Sequence, residues 1–211
     1  FGERKIAEIE PKDVIAWQNE LLAHKGENGE VYSPTYLKTI HAQLSAIFNH
    51  AIRYYHLSSN PAQKAGSMGS EEHKEMLFWT KEEYLKFADV MMDKPLSYYA
   101  FEMLYWCGIR MGELLALTPK DFDFDKHTLT INKSYQRLNG RDVITTPKTK
   151  KSNRVIKMPK FLCEEMQEYI GMLYEVNEND RLFPITKHYL HHEMDRGAKL
   201  AGVKRIRIHD L

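Results

Sequence analysis

The chain has 211 residues, 43% of them hydrophobic and 28% charged, and its 30 lysines and arginines face 29 acids for a formal net charge of +1. This is globular composition for one large domain or two small ones, which excludes a disordered, fibrous or collagen-like chain. No apolar run approaches the roughly 18 residues of a membrane span, so a soluble chain is expected. Cys107 and Cys163 stand far apart without CxxC spacing, which excludes a disulfide framework or a four-cysteine zinc site and fits a reducing compartment.

Pro11 to His24 reads as an amphipathic helix, with Pro11 at a first helical position and Val14, Trp17 and Leu21 at helical spacing. Ser33-Pro34 opens a second helix, with an apolar stripe of Leu37, Ile40, Leu44, Ile47, Phe48, Ala51 and Tyr55. Its polar face carries Lys38, His41, Ser45, Asn49 and Arg53, and Asn60-Pro61 stops the pattern. Gln63 to Glu75, rich in glycine and serine and then charged, reads as a linker with the domain boundary near Ser70. Thr80-Lys81-Glu82-Glu83 is a capping box. A helix follows it, and another runs from Pro95 to the break at Gly108. A short helix covers about Met111 to Leu117 and ends at Pro119.

The period then changes. Residues 128–132, 142–146 and 154–158 alternate and favour β-branched side chains, and Asn139-Gly140 reads as the turn between the first two. A three-stranded antiparallel sheet is predicted, followed by helices over Phe161–Leu173 and from the Thr186 cap to about Ala201. The class is mainly α with a small antiparallel β-sheet (α+β).

Charge is unevenly spread. Residues 133–160 hold nine cations (Lys133, Arg137, Arg141, Lys148, Lys150, Lys151, Arg154, Lys157, Lys160) and one acid, Asp142. Phosphate binding needs such a local field and not a net charge. Three stretches carry possible chemistry. In Gly108-Ile109-Arg110-Met111-Gly112-Glu113-Leu114-Leu115, an arginine lies among apolar residues, which calls for a carboxylate or phosphate partner. Glu113 can pair with it as a purely structural salt bridge. Thr146-Pro147-Lys148-Thr149-Lys150-Lys151-Ser152-Asn153-Arg154 reads as a hairpin tip with four cations, fit to reach a phosphate backbone or simply to be solvated. Lys204 to Leu211 alternates and then opens a helix with His209 near its start, either an anion-binding position or an ordinary exposed histidine.

In that order and spacing the three stretches resemble the catalytic domain of the tyrosine recombinases, the integrases of phages and conjugative elements. The phrases Gly108 to Leu117, Pro147-Lys148-Thr149-Lys150 and Ile208-His209-Asp210-Leu211 look closest to integrases of Gram-positive mobile elements. The resemblance implies a SAM-like helical core-binding domain over residues 1–65, a linker over 66–77 and a catalytic domain over 78–211. It also implies site-specific DNA cutting and rejoining through a 3′-phosphotyrosyl intermediate, with no cofactor. Arg110 matches the arginine that clamps the phosphate, and Lys148, with Lys150 as its rival, the general acid for the leaving 5′-oxygen. His209 matches the first histidine of the His-x-x-Arg box, and Glu113 the supporting acid.

The box arginine, the later histidine or tryptophan and the nucleophilic tyrosine are expected beyond Leu211, and further residues are expected before Phe1. The chain by itself is therefore expected to bind DNA without cutting it. Tyr135, Tyr169, Tyr174 and Tyr189 read as core or surface. The implied partners are double-stranded DNA at core-type attachment sites and other protomers, as a tetramer, in the bacterial cytoplasm and with no membrane. Lys38, His41, Ser45, Asn49 and Arg53 would lie along the duplex, with Lys150, Lys151 and Arg154 on phosphates. Two rivals remain: a DNA-binding regulator without chemistry, and a metal hydrolase using His188, His191, His192 and Asp195 on one helix.

Overall fold

The computed structural model describes residues 1–71, 75–146 and 153–211; Lys148, Lys150 and Lys151 lie outside the described residues. The chain divides into two compact units, Phe1–Glu75 and Met76–Leu211.

The first unit contains α1 (Pro11–Ala23), α2 (Pro34–Tyr55) and α3 (Pro61–Ala65). Each helix starts with proline at its first position, where the missing N–H costs nothing. Val14, Phe48 and Ala62 form the core, with Trp17, Leu44 and Leu57 packed around it. Asn60 does more than stop α2. Its Oδ1 accepts from the N–H groups of Ala62 and Gln63 at 2.9 and 3.1 Å, so it opens α3. Its Nδ2 donates to the Ser45 carbonyl, to Ser45 Oγ and to Asn49 Oδ1 at 3.0, 3.0 and 2.9 Å.

The expected linker is partly built into this unit. Met68 is buried, and Gln18 Nε2 donates to the Gly66 carbonyl at 2.8 Å. Gly69 has φ +74°, and a β-carbon there would strike the Pro34 carbonyl oxygen.

The second unit contains α4 (Lys81–Met91), α5 (Pro95–Cys107), α6 (Met111–Leu114), α7 (Lys160–Met172) and α8 (Lys187–Ala201). Among the described residues its strands are β1 (Phe122–Asp123), β2 (Thr128–Ile131), β3 (Ser134–Leu138), β4 (Arg141–Thr145) and β5 (Arg154–Lys157). The Thr80 capping box is present in full: Thr80 N–H donates to Glu83 Oε2 at 2.8 Å and Glu83 N–H to Thr80 Oγ1 at 3.3 Å. Buried Ala100, Phe101, Met103 and Leu104 place α5 in the core. Gly108, at φ +58°, ends the helix in the left-handed conformation, and its N–H reaches the Leu104 carbonyl.

The strands depart from the expected single sheet. They form a three-stranded antiparallel sheet, β1-β2-β5, and a separate β3-β4 hairpin. Asn139-Gly140 does make a tight turn, with φ +49° and +77°, but it joins Ser134–Leu138 to Arg141–Thr145. The residue 128–131 strand pairs instead with β1 and β5. β4 and β5, which flank the basic stretch, belong to different sheets, and the expected hairpin tip between them falls largely outside the described residues.

Arg181 ties these parts together. Its guanidinium donates to the carbonyls of Leu115, Phe183 and Ile185 at 2.7, 2.9 and 2.9 Å and to Asp142 at 3.1 Å. It also lies 4.0 Å from the Tyr135 ring centre.

Replacing Asn60 with alanine removes one cap and three bonds to α2. The expected cost is about 2 kcal/mol. Native-state hydrogen exchange should show roughly thirtyfold faster opening of α3 amides; unchanged protection would show that Asn60 does not hold α3 to α2.

Candidate functional site

The site is built on the break between α5 and α6. Gly108 turns the chain, buried Ile109 anchors it, and Arg110 follows in extended conformation as the residue before α6. Glu113, on α6 and only 5% exposed, faces back beneath it. Its carboxylate accepts the Arg110 N–H at 2.9 Å and Arg110 Nη1 at 3.2 Å. From β5, Arg154 Nη1 and Nη2 donate to the two carboxylate oxygens at 2.9 and 2.7 Å, a bidentate pair. Burial alone would raise the Glu113 pKa; the bonds from Arg154 and from the Arg110 backbone outweigh it and leave the carboxyl below its ordinary value.

Above this carboxylate opens a cavity of about 600 Å³. Leu104, Ile109 and Ile208 give it an apolar floor, and Arg110, Arg154, Lys187 and His209 bring nitrogen groups to its wall. The Arg110 side chain is 66% exposed, so its guanidinium faces solvent while its base is tethered. His209 arrives on the predicted alternating segment. Ile206 and Ile208 are buried and His209 is exposed, in a short 3-10 turn over Ile208–Asp210. Asp210 accepts from Arg207 at 2.6 and 2.9 Å, which holds its carboxyl below the usual range and fixes that turn.

The structure thus brings Arg110, Glu113, Arg154 and His209 together. Arg154, assigned by sequence to backbone phosphates, bonds Glu113 through its guanidinium and lines the same cavity. Lys187 and Ser134 also line the cavity and carried no local sequence signal. In the helical unit the polar face needs correction. His41 is buried with its Nδ1 3.2 Å from Gln18 Nε2, and Ser45 and Asn49 serve Asn60. Ile47 and Tyr55, expected in the core, are exposed instead. Lys38, Asn49 and Arg53 remain exposed, with Lys38 2.7 Å from Glu71.

Of the tyrosines, Tyr135 and Tyr169 are buried and hydrogen-bonded to Asp142 and the Leu182 carbonyl, and Tyr174 is exposed. Tyr189 Oη lies 2.9 Å from Ser97 Oγ. No tyrosine is among the described residues lining the cavity. His188 and His192 touch through Nε2 at 3.0 Å, but Asp195 pairs with Arg205. Among the described residues no group of three histidines, cysteines or acids is placed to hold a metal.

The chain is similar to known proteins over most of its length. The model of the phage integrase family matches residues 77–211. The ICEBs1 integrase of Bacillus subtilis (strain 168) is 33% identical over 170 residues, covering 80% of this chain and 44% of that protein. The integrase of Mycobacterium phage D29 is 26% identical over 223 residues, covering 100% of this chain and 56% of that protein. The chain spans about half the length of these curated relatives. In fold it is similar to the Tn1549 transposon integrase in complex with a circular intermediate DNA, with a TM-score of 0.77 at 20% identity over 97% of this chain and 71% of that one. It is also similar to a lambda integrase dimer bound to a COC′ core site, with a TM-score of 0.62 at 18% identity over 97% and 55% of the two chains.

Glu113→Gln tests the tether. Because the folded pKa lies below the ordinary 4.5, the ion pair stabilises fully above about pH 4.5 and is lost as pH falls through the lowered value. The variant should be about 2 kcal/mol less stable than the parent at pH 7. In urea titrations that gap should close as pH falls below 4.5 and through the lowered value; a gap constant with pH would refute the account.

Proposed function

This chain belongs to the phage integrase family, and from that premise we propose that it is the DNA-gripping and phosphate-activating part of a site-specific recombinase of a mobile element. The reaction is attack of a tyrosine hydroxyl on a DNA phosphodiester, giving a 3′-phosphotyrosyl link and a free 5′-hydroxyl. A second 5′-hydroxyl then attacks that link and rejoins the strand. The bond energy is conserved in the covalent intermediate, so the steps balance without a nucleotide energy source.

One observation carries the reading. Arg110 and His209, distant in sequence, face one cavity above a carboxylate that fixes the arginine in place. A pentacoordinate phosphorane gathers negative charge on its non-bridging oxygens, and a guanidinium held in position before the reaction stabilises that charge without reorganising. Glu113 takes part of the Arg110 fork and leaves the rest for phosphate. His209 supplies a proton-transfer or phosphate-bonding imidazole on the same cavity. In this reading Lys148 protonates the leaving 5′-oxygen, with Lys150 as the rival. In this reading the attacking hydroxyl is not among the described residues lining the cavity.

The helical unit, through the outward Lys38 and Arg53, would bind the duplex, and protomers would assemble on core-type sites in the bacterial cytoplasm. The outward cations of the helical unit also suit a second reading, a DNA-binding regulator without chemistry, and covalent capture separates the two.

An intact protein carrying this chain should become covalently attached to a nicked attachment-site DNA. Arg110→Ala should lower attachment by about 10²–10³-fold while leaving DNA affinity within a few fold. Parental attachment in that variant would refute the role of Arg110. Engagement of about four phosphates predicts a log–log salt slope of about −3.6 for DNA binding, and binding indifferent to salt would sink the DNA-gripping role.

A further inference from the structure

We propose that Lys187 is a further phosphate-binding residue of this cleft, placing its ammonium on the scissile phosphate opposite Arg110; the assignment rests on the recombinase reading above. Lys187 is exposed and lines the same cavity as Arg110 and His209. The two arginines there both bond to Glu113. Lys187, among the described residues, has no ion pair. Among the described residues nothing neutralises its charge, which leaves it to a ligand.

The packing around Gly112 shows how the side chain reaches the cleft. A β-carbon on Gly112 would lie 2.5 Å from Ser134 Oγ, 3.2 Å from the Tyr135 carbonyl oxygen and 3.9 Å from Lys187 Cε. The last methylene of Lys187 therefore runs across the bare face of Gly112, two residues from Arg110, with Ser134 beside it. The missing side chain at Gly112 is the space that α8 and β3 use to bring these groups to the cavity.

Local helix energetics give Lys187 no structural reason to be a cation. It is the first residue of α8, behind the Thr186 cap that accepts the Tyr189 N–H at 3.3 Å. The positive end of the helix dipole disfavours a cation there. An anion bound in the cleft reverses the sign, because lysine and dipole then act together on it.

The test uses an intact protein carrying this chain, with Lys187→Met and Lys187→Arg. Its substrates are a nicked attachment-site DNA with a natural phosphate and one with a neutral methylphosphonate at the scissile position. Lys187→Met should slow covalent capture and weaken binding of the natural DNA by about tenfold each, with Lys187→Arg restoring most of both. On the methylphosphonate DNA the binding penalty should vanish, because the charged partner is gone. A penalty equal on both DNAs would move Lys187 to a neighbouring phosphate and overturn the assignment, as would parental capture by Lys187→Met. Absence of capture by the parent itself would defeat the recombinase reading, and this assignment with it.

Discussion

One buried carboxylate holds the site together. Glu113 caps the N-terminus of α6, pulls the Arg110 guanidinium down onto it, and accepts a bidentate pair from Arg154 on β5. It therefore joins the helical layer to the sheet and sets the position of the group that would meet a phosphate. Two guanidiniums around one carboxylate leave one positive charge over, and Lys187 adds another. A chain of formal net charge +1 thus has a cationic cavity built on a single buried anion, a local field that the overall composition conceals.

A second tie keeps the remaining walls in register. Arg181 bonds three carbonyls on either side of it in the chain, contacts Asp142 of the hairpin and lies over Tyr135. The hairpin that carries Ser134 and the segment that leads into α8 and Lys187 are fixed to the same guanidinium. Cavity residues from four separate parts of the sequence are thereby positioned by two charged side chains, and the fifth, around His209, is held by the Arg207–Asp210 pair. Such preorganisation is what charge stabilisation in a transition state requires.

The features legible in the sequence were those set by neighbours in the chain. The capping box at Thr80, the left-handed stop at Gly108, the proline starts of α1, α2 and α5 and the tight turn at Asn139-Gly140 all depend on a few consecutive residues. What was missed depends on packing at long range. Ser134–Leu138 has no clean alternation, so the turn was attached to the better-looking strand at 128–131. His41 reads as a solvent-facing residue, yet it is buried against Gln18, while Ile47 and Tyr55 lie exposed. Arg110, Glu113 and His209 were recognisable as a motif. The Arg154–Glu113 pair was not legible because the partners lie 41 positions apart, and Lys187 had no signal because only the fold carries α8 over Gly112.

The buried glutamates show that partner chemistry, and not burial alone, decides where the charge in this unit sits. Burial raises the pKa of Glu102, and its partners, the Tyr84 hydroxyl and the Trp106 indole N–H, are neutral; their bonds oppose the rise without cancelling it. Glu113 and Glu193 are buried as well, but guanidinium and ammonium groups bring both below the ordinary value. Protonation therefore costs stability at Glu113 and Glu193 and favours the folded state at Glu102. As pH falls, the carboxylate under Arg110 loses its hold while the Tyr84–Glu102–Trp106 cluster in the core is reinforced. The cationic cleft is thus sensitive to acid because Glu113 maintains its geometry by charge, and the same holds for the Glu193 cluster that ties α8 to Lys94 and Arg196.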